Sequence, residues 1–197
     1  MDTYMTYKMI LAALLSATIL TGCTTVAVTG AVGGAATIHD RRTTGAVMDD
    51  SQIELEAIGI MNDHPEIDEV AQISPISHNR RLLLIGQASN MEAARRYAKL
   101  VAAIPNVRAV FNEVEQGAHA SFGDRTSDAY MTTKVKLSLT GMDIEGFDIT
   151  RVNVSTFLDR VYLMGLVTRR EAAAVTDRVR GISGVKKVID IFEYIDR

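Results

Sequence analysis

Cys23 is the only cysteine among the 197 residues. Its thiol could be a catalytic nucleophile, a buried apolar group or a site of covalent modification. A lone cysteine cannot form an intramolecular disulfide, and a nucleophilic thiolate needs a rigid, electropositive pocket. The residues that follow, 24–37, are all Gly, Ala, Val or Thr, which is typical of a flexible tether rather than of a catalytic pocket. A catalytic role for Cys23 is therefore disfavoured, and covalent modification by a processing enzyme is the better interpretation.

The residues before Cys23 have the layout of a secretion signal. A short start containing Lys8 precedes a largely apolar run at 9–20, and two small residues follow it. This run is shorter than the ~20 residues that a membrane-spanning helix requires. The stretch Leu-Thr-Gly-Cys at 20–23 resembles the bacterial lipobox, in which the cysteine is acylated and becomes the first mature residue. The alternative is a plain secretory signal with a chance cysteine.

Other reactive residue types do not occur in a catalytic or metal-binding arrangement. The four histidines are far apart in the sequence and form no H-x-x-x-H motif, so neither a metal nor a cofactor is predicted. Glu92 and Glu171 could serve in acid–base catalysis, but each stands three residues after a hydroxyl side chain, Ser89 or Thr168. This spacing is that of a helix capping box. We therefore interpret both carboxylates as structural and predict no enzyme.

Charge is distributed unevenly along the chain. The net charge is −3, which gives no basis for nucleic-acid binding. Residues 49–116 contain 6 basic and 11 acidic side chains, a net charge of −5, whereas residues 128–197 contain 11 and 10, a net charge of +1. The two halves of the chain are therefore expected to face different partners.

An internal repeat defines the domain organisation. Residues 82–100 parallel 161–179 at a spacing of 79, which aligns Gly86 with Gly165. Upstream, 53–61 parallel 131–139 at a spacing of 78. The predicted segments are a lipoprotein signal peptide (1–22), a flexible tether (23–48), a first domain (49–116), a linker (117–127) and a second domain (128–197).

Each copy is predicted to fold in the order α-β-β-α-β, which is an α+β fold. The predicted helices that open the copies are 51–61 and 129–140, and the predicted strands are 69–76, 82–87, 107–114, 149–157, 161–167 and 185–195. An antiparallel hairpin and a parallel β-α-β crossover give a three-stranded mixed sheet with two helices on one face. The other sheet face needs a partner, either the second copy or another molecule. Gly86 and Gly165 are predicted to be structural, each ending a strand where a Cβ would collide with the helix.

The strand–glycine–cap–helix units at 82–93 and 161–172, together with the closing strands, resemble the BON family of bacterial envelope domains. The resemblance covers roughly residues 49–197, and with the lipobox it extends to dual-BON outer-membrane lipoproteins. It implies a lipid-anchored protein of the outer membrane that faces the periplasm, supports envelope integrity and acts at cell division sites. The implied partners are anionic phospholipid of the phosphatidylglycerol or cardiolipin type, the inner leaflet through acylated Cys23, and candidate envelope proteins. Thr24 after the cysteine agrees with outer-membrane sorting.

The resemblance also implies that the first helix of the second copy contacts lipid. The candidate phospholipid-binding residues are Tyr130, Met131, Lys134, Lys136 and Leu137. Tyr130 occupies an aromatic position that is Trp in the resembled lipoproteins. The spacing of residues separately indicates that Met131 faces the core, whereas Tyr130, Lys134 and Leu137 form a neighbouring stripe suited to a membrane interface.

Two alternatives remain from the residues themselves. Tyr130 could staple the helix start and Leu137 could be half-buried by the other copy, in which case the helix would not bind lipid. The second alternative for the whole chain is an envelope protein-interaction or chaperone-like module, which would use the open sheet face.

Overall fold

The computed structural model describes residues 40–195. These residues belong to one compact unit, Ala36–Arg197. Cys23, the predicted signal peptide and most of the predicted tether lie outside the described residues. Within 40–195, no helix has the combination of length and apolar character that crossing a membrane requires.

The order of helices and strands is the same in the two copies, as the repeat predicts. The first copy consists of α1 (Thr44–Asn62), the short α2 (Pro65–Asp68), β1 (Ala71–His78), β2 (Arg81–Ala88), α3 (Met91–Val101) and β3 (Ala109–Gln116). The second copy consists of α4 (Phe122–Thr140), β4 (Val152–Phe157), β5 (Arg160–Val167), α5 (Arg169–Arg180) and β6 (Lys187–Tyr194). Helix α2 and a 3₁₀ turn before β4, Ile149–Arg151, were not predicted.

Each copy contains a three-stranded mixed sheet, which confirms the predicted α+β fold. In the first sheet β2 is central, antiparallel to β1 and parallel to β3. The second sheet repeats this arrangement around β5. Both hairpins turn through two residues with positive φ, Asn79-Arg80 and Leu158-Asp159. This is the backbone of a two-residue turn that matches the strand twist.

The two sheets pack face to face. Besides one core beneath the helices of each copy, a third core lies between the sheets. Its buried members come from both copies: Leu83, Ile85, Tyr162, Met164 and Ile191. The layers therefore run helices, sheet, sheet, helices, and the second copy is the partner that the exposed sheet face required. All buried apolar residues within 40–195 fall between Ala46 and Phe192, so a fragment from Thr24 to Arg197 contains every core.

Both opening helices begin earlier than predicted. Helix α1 begins seven residues before position 51, inside the segment assigned to the tether, because the Thr43 hydroxyl accepts a hydrogen bond from the Ala46 N–H at 3.1 Å. Helix α4 begins seven residues before position 129, inside the predicted linker. The apolar stripes used for prediction start at Ile53 and Met131, so they miss the first two turns of each helix, in which Ala46, Asp50 and Asp128 are the buried residues.

The predicted capping boxes differ between the copies. In the second copy, the Thr168 hydroxyl and the Glu171 carboxylate exchange hydrogen bonds with each other's backbone N–H groups, as expected. In the first copy, Asn90 caps the helix instead, by accepting from the Glu92 N–H at 2.9 Å. The assignment of Ser89 as the cap was wrong, since its hydroxyl donates to the Val70 carbonyl.

Gly86 and Gly165 lie inside strands, not at strand ends. A Cβ on Gly86 would stand 1.9 Å from the Gln72 carbonyl oxygen, and Gly86 also has a φ of +148°. A Cβ on Gly165 would stand 2.4 Å from the Arg151 carbonyl oxygen. The expected collision with the following helix is therefore wrong. At Gly86, β2 approaches the backbone of β1 too closely for a side chain, and at Gly165, β5 approaches Arg151 in the 3₁₀ turn that leads into β4.

Candidate functional site

The N-terminus of α4 is stabilised by a capping box. The Ser121 hydroxyl accepts from the Asp124 N–H at 3.2 Å, and the Asp124 carboxylate accepts from the Ser121 N–H at 2.9 Å. Hydrogen bonds from the Ser121 hydroxyl and N–H lower the pKa of Asp124. The motif adds two turns to the helix and brings Phe122 into it, a residue that lies in the linker predicted from the sequence.

One face of α4 is buried in the second core. Met131 is only 6% exposed, and it shares this face with Val135 and Leu139. The inclusion of Met131 among the candidate lipid contacts was therefore wrong, although its spacing had indicated a core position. A side chain so deeply buried cannot reach a bilayer without unfolding the helix from its sheet.

A buried aspartate fixes each opening helix to a hairpin. Asp128 accepts from the N–H groups of Leu158 and Asp159, at 2.9 and 3.2 Å. Asp50, 78 positions earlier, accepts from the matching turn of the first copy at 2.8 and 2.6 Å. The sequence interpretation missed both residues, although their equal place in the repeat, one turn before the apolar stripe, was a usable signal. They hold α4 and α1 in a fixed orientation.

The outer face of α4 carries three large exposed apolar side chains. Phe122 is 81% exposed, Tyr130 68% and Leu137 70%. At about 100° per residue they fall within about 80° of one another, directly opposite the buried stripe. This exposure contradicts the alternative in which Tyr130 staples the helix start and Leu137 is half-buried by the other copy. The sequence interpretation did not include Phe122 in this stripe. Phe122 lies eight residues before Tyr130, in the segment that was predicted to be a linker.

Basic side chains lie on both sides of this exposed stripe. Arg125 and Lys136 are exposed on one side. Lys134 lies on the other side, half-buried, and its ammonium donates to the Ser183 carbonyl at 2.7 Å. Lys134 thus ties α4 to the loop after α5 while its charge stays beside the stripe. Phe122, Tyr130 and Leu137 therefore form an apolar ridge with basic side chains on both flanks, an arrangement that suits an anionic interface.

A cluster of charged side chains joins Arg41, in the segment predicted as the tether, to the second copy. The Arg41 guanidinium donates to both oxygens of Glu171, at 2.6 and 3.0 Å, and Arg151 donates to one of them at 2.9 Å. Burial alone would raise the pKa of Glu171, but hydrogen bonds from Arg41 and Thr168 outweigh burial and lower it to about 2. Because of this pairing, Glu171 is a charged structural anchor and not a proton donor.

Arg42 also forms ion pairs, with Asp40 at 2.7 Å and with Asp50 at 2.8 Å. Arg41 and Arg42 are therefore both paired with carboxylates of the folded protein. Among residues 40–195, no group of three or more His, Cys, Asp or Glu side chains is arranged to hold a metal ion.

The chain is similar to one protein family and to several known proteins. The BON domain family matches residues 49–118 and 127–196. An outer membrane lipoprotein named DolP, from Haemophilus influenzae, is 35% identical over 188 residues, which cover 94% of this chain and 96% of that protein. A protein named 21 kDa hemolysin, from Actinobacillus pleuropneumoniae, is 30% identical over 79% of each chain. The C-terminal domain of CdsD, a type III secretion protein of Chlamydia trachomatis, matches 75% of this chain and 67% of its own at 17% identity, with a TM-score of 0.29.

Proposed function

This chain belongs to the BON-domain family as an outer-membrane lipoprotein with two copies of the domain, and we propose that it is non-enzymatic and binds anionic phospholipid through α4. The observation that carries the proposal is the exposed ridge of Phe122, Tyr130 and Leu137, which lies opposite the core and between basic side chains. A ridge of this kind has no role in the fold of the described residues. Its exposure to water is accounted for if it enters a membrane interface.

Two separable contributions would hold α4 at the bilayer. Burial of one leucine-sized side chain contributes ~1.5–3 kcal/mol when complete, and less when insertion is shallow. Each basic side chain near an anionic surface adds ~1 kcal/mol, which salt weakens. Arg125 and Lys136 lie on one flank of the ridge, and Lys134, whose ammonium also donates to the Ser183 carbonyl, lies on the other. The lipid class that fits is phosphatidylglycerol or cardiolipin, because a zwitterionic surface would not attract the basic side chains.

The lipid anchor is proposed to be an acyl group on Cys23, which would hold the protein at the inner leaflet of the outer membrane. Mass spectrometry of the mature N-terminus tests this assignment. A diacylated or triacylated cysteine at position 23 is expected, and Cys23→Ala should leave the protein without acyl groups. An unmodified Cys23, or cleavage at another position, would contradict the proposal.

The direct test of lipid binding is an NMR titration of the Thr24–Arg197 fragment with micelles. Phosphatidylglycerol-containing micelles should shift the amide resonances of α4 around Tyr130 and Leu137, and phosphatidylcholine micelles of the same size should shift them far less. The amides of α1 serve as an internal reference that should stay in place. Equal shifts with both lipids, or shifts confined to other elements, would overturn the proposal.

We further propose that lipid binding by α4 supports envelope integrity and brings the protein to division sites. Fluorescence microscopy of a tagged full-length chain checks this, since a variant without lipid affinity should lose mid-cell enrichment while keeping its anchor. The alternative, a protein-interaction or chaperone-like module, was expected to use the open sheet faces. Those faces pack against each other, which favours the lipid-binding proposal over that version of the alternative.

A further inference from the structure

Helix α1 of the first copy has its own exposed apolar stripe. Leu55 is 70% exposed and Met48 69%, and Ile58 is exposed beside them. At about 100° per residue, Met48 and Leu55 lie within about 20° of each other on the face opposite Ile53 and Ala57, which are buried. Three large apolar side chains on one outer helix face mark an interaction surface.

This stripe is not the repeat equivalent of the ridge on α4. The repeat places Met48, Leu55 and Ile58 opposite Thr126, Thr133 and Lys136 of α4. Conversely, it places Phe122, Tyr130 and Leu137 opposite Thr44, Gln52 and Gly59 of α1. Each helix is polar or small where the other is apolar, so the two surfaces cannot be the remnant of one duplicated site. The surface on α1 therefore has an occupant of its own.

The charge around α1 identifies the chemistry of that occupant. The segment 43–79 contains eight acidic side chains and no Lys or Arg. Three of the eight pair with arginines outside the segment: Asp49 with Arg80 at 2.6 Å, Asp50 with Arg42 at 2.8 Å and Glu66 with Arg96 at 3.1 Å. Glu56, next to Leu55, accepts only from the neutral amide of Gln52 among its described partners, at 2.8 Å, so no basic side chain among them pairs with it. The acidic side chains beside the stripe, such as Glu56, form an acidic rim. Such a rim repels an anionic membrane and attracts a basic partner.

A second copy of this chain fits the surface poorly. Two α1 helices face to face would bring their acidic rims together, which opposes association. Helix α1 and helix α4 also belong to opposite outer layers, because each packs on its own sheet and the two sheets lie between them. A partner on α1 therefore leaves α4 uncovered.

We propose that the exposed face of α1 is a docking surface for a protein segment with apolar side chains flanked by Lys and Arg. The apolar side chains cover Met48, Leu55 and Ile58, and the basic ones meet the acidic rim. The inference goes beyond the proposed function, because it concerns the other copy, the other face and a protein in place of a lipid.

The experiment starts with photocrosslinking in cells. The full-length chain carries p-benzoylphenylalanine at position 55 or, as the matched comparison, at position 137, because these positions hold two leucines of equal exposure. Position 55 should yield protein adducts whose crosslinked peptide, read by mass spectrometry, is apolar with basic flanks, and position 137 should not yield them. Absence of any protein adduct at 55, an adduct only with a second copy of the chain, or an acidic crosslinked peptide would overturn the proposal.

The second stage measures affinity. The crosslinked peptide is synthesised and titrated against the Thr24–Arg197 fragment. Leu55→Glu should weaken binding by about tenfold or more, because it removes apolar contact and adds a like charge to the rim. Thr133→Glu, the same charge at the repeat-equivalent exposed position of α4, should leave the affinity unchanged. Rising salt should weaken binding to the parent.

Met48→Glu is the second variant if Leu55→Glu lowers the thermal midpoint. An affinity unaffected by both substitutions contradicts the proposal. Lipid titration of Leu55→Glu separates this inference from the proposed function: lipid binding should persist in this variant. A loss of lipid binding would make α1 a membrane surface and overturn the docking proposal.

Discussion

Arg41 and Glu171 are joined by two hydrogen bonds, at 2.6 and 3.0 Å, although 130 positions separate them in the sequence. Arg41 is the second residue that the structure describes, and Glu171 belongs to the first turn of α5 in the second copy. The chain that leads from the tether into the first copy is thus attached to the second. This pair binds the two copies to each other in addition to the core between their sheets.

Replacing Glu171 should destabilise the protein. Glu171→Gln leaves two largely buried guanidinium groups, those of Arg41 and Arg151, without their shared carboxylate, and this should cost ~3 kcal/mol. Chemical denaturation of the Thr24–Arg197 fragment at neutral pH measures the loss. The matched control is Glu92→Gln at the equivalent position of the first copy, where the carboxylate is exposed and pairs with Arg95. If both variants are equally stable, the cluster has no structural role.

The same carboxylate predicts a pH dependence. Because the folded pKa of Glu171, about 2, lies below its ordinary value of 4.5, the stabilisation is complete above about pH 4.5. It is lost progressively as the pH falls from 4.5 towards 2. Thermal midpoints measured across this window should fall less steeply in Glu171→Gln than in the parent.

His78 predicts a second window at higher pH. It is buried, and within residues 40–195 neither ring nitrogen has a hydrogen-bond partner. Burial, with the nearby charge of Arg42, lowers its pKa from 6.5 to about 4, against the opposing charges of Asp50, Asp40 and Glu193. The folded state therefore binds fewer protons than the unfolded state between these values, and stability should fall as the pH drops from 6.5 to 4.

The variant His78→Leu should lose less stability than the parent as the pH falls from 6.5 to 4. Thermal unfolding followed by circular dichroism at half-unit pH steps measures the effect. His119→Leu, the same substitution at an exposed histidine, is the control. A His78→Leu profile that falls as steeply as the parent's from pH 6.5 to 4 would show that other groups control this range.

Substitution of the two sheet glycines should be costly in different degrees. Gly86→Ala meets both a backbone oxygen at 1.9 Å and a positive φ, whereas Gly165→Val meets an oxygen at 2.4 Å. Each should lose at least ~1–3 kcal/mol of unfolding free energy. Gly59→Ala, in α1 with nothing within 4 Å of its Cβ, should be neutral or stabilising by up to ~1 kcal/mol. Unchanged denaturation midpoints for Gly86→Ala would contradict the close approach of β1 and β2.

Leu137→Glu should abolish most lipid affinity without unfolding the protein. The side chain is exposed, so the substitution leaves the core intact, while it removes apolar insertion and adds a charge that anionic headgroups repel. Binding to phosphatidylglycerol-containing micelles, measured by NMR titration, should weaken at least tenfold. Leu55→Glu is the matched control, with the same exposure on α1, and should bind lipid like the parent. If Leu137→Glu binds these micelles as tightly as the parent does, the ridge is not the lipid-binding surface.

The amino-acid sequence by itself determined the repeat, the order of elements and the class of the sheets. These features follow from local patterns: alternating apolar residues in strands, apolar stripes in helices and the Thr168–Glu171 capping box, all of which act over a few residues. The identity of the exposed residues Tyr130 and Leu137 followed in the same way, because the buried stripe of an amphipathic helix also defines its opposite face.

Only the tertiary structure decided which groups meet across the chain. The ion pair between Arg41 and Glu171, and the hold of Asp128 on a hairpin 30 residues away, depend on how the sheets twist and stack, which no local pattern encodes. The same holds for Gly86, whose neighbour proved to be a strand and not a helix. Periodicity assigns a residue to a face, but the partner on that face is chosen by the packing of the whole chain.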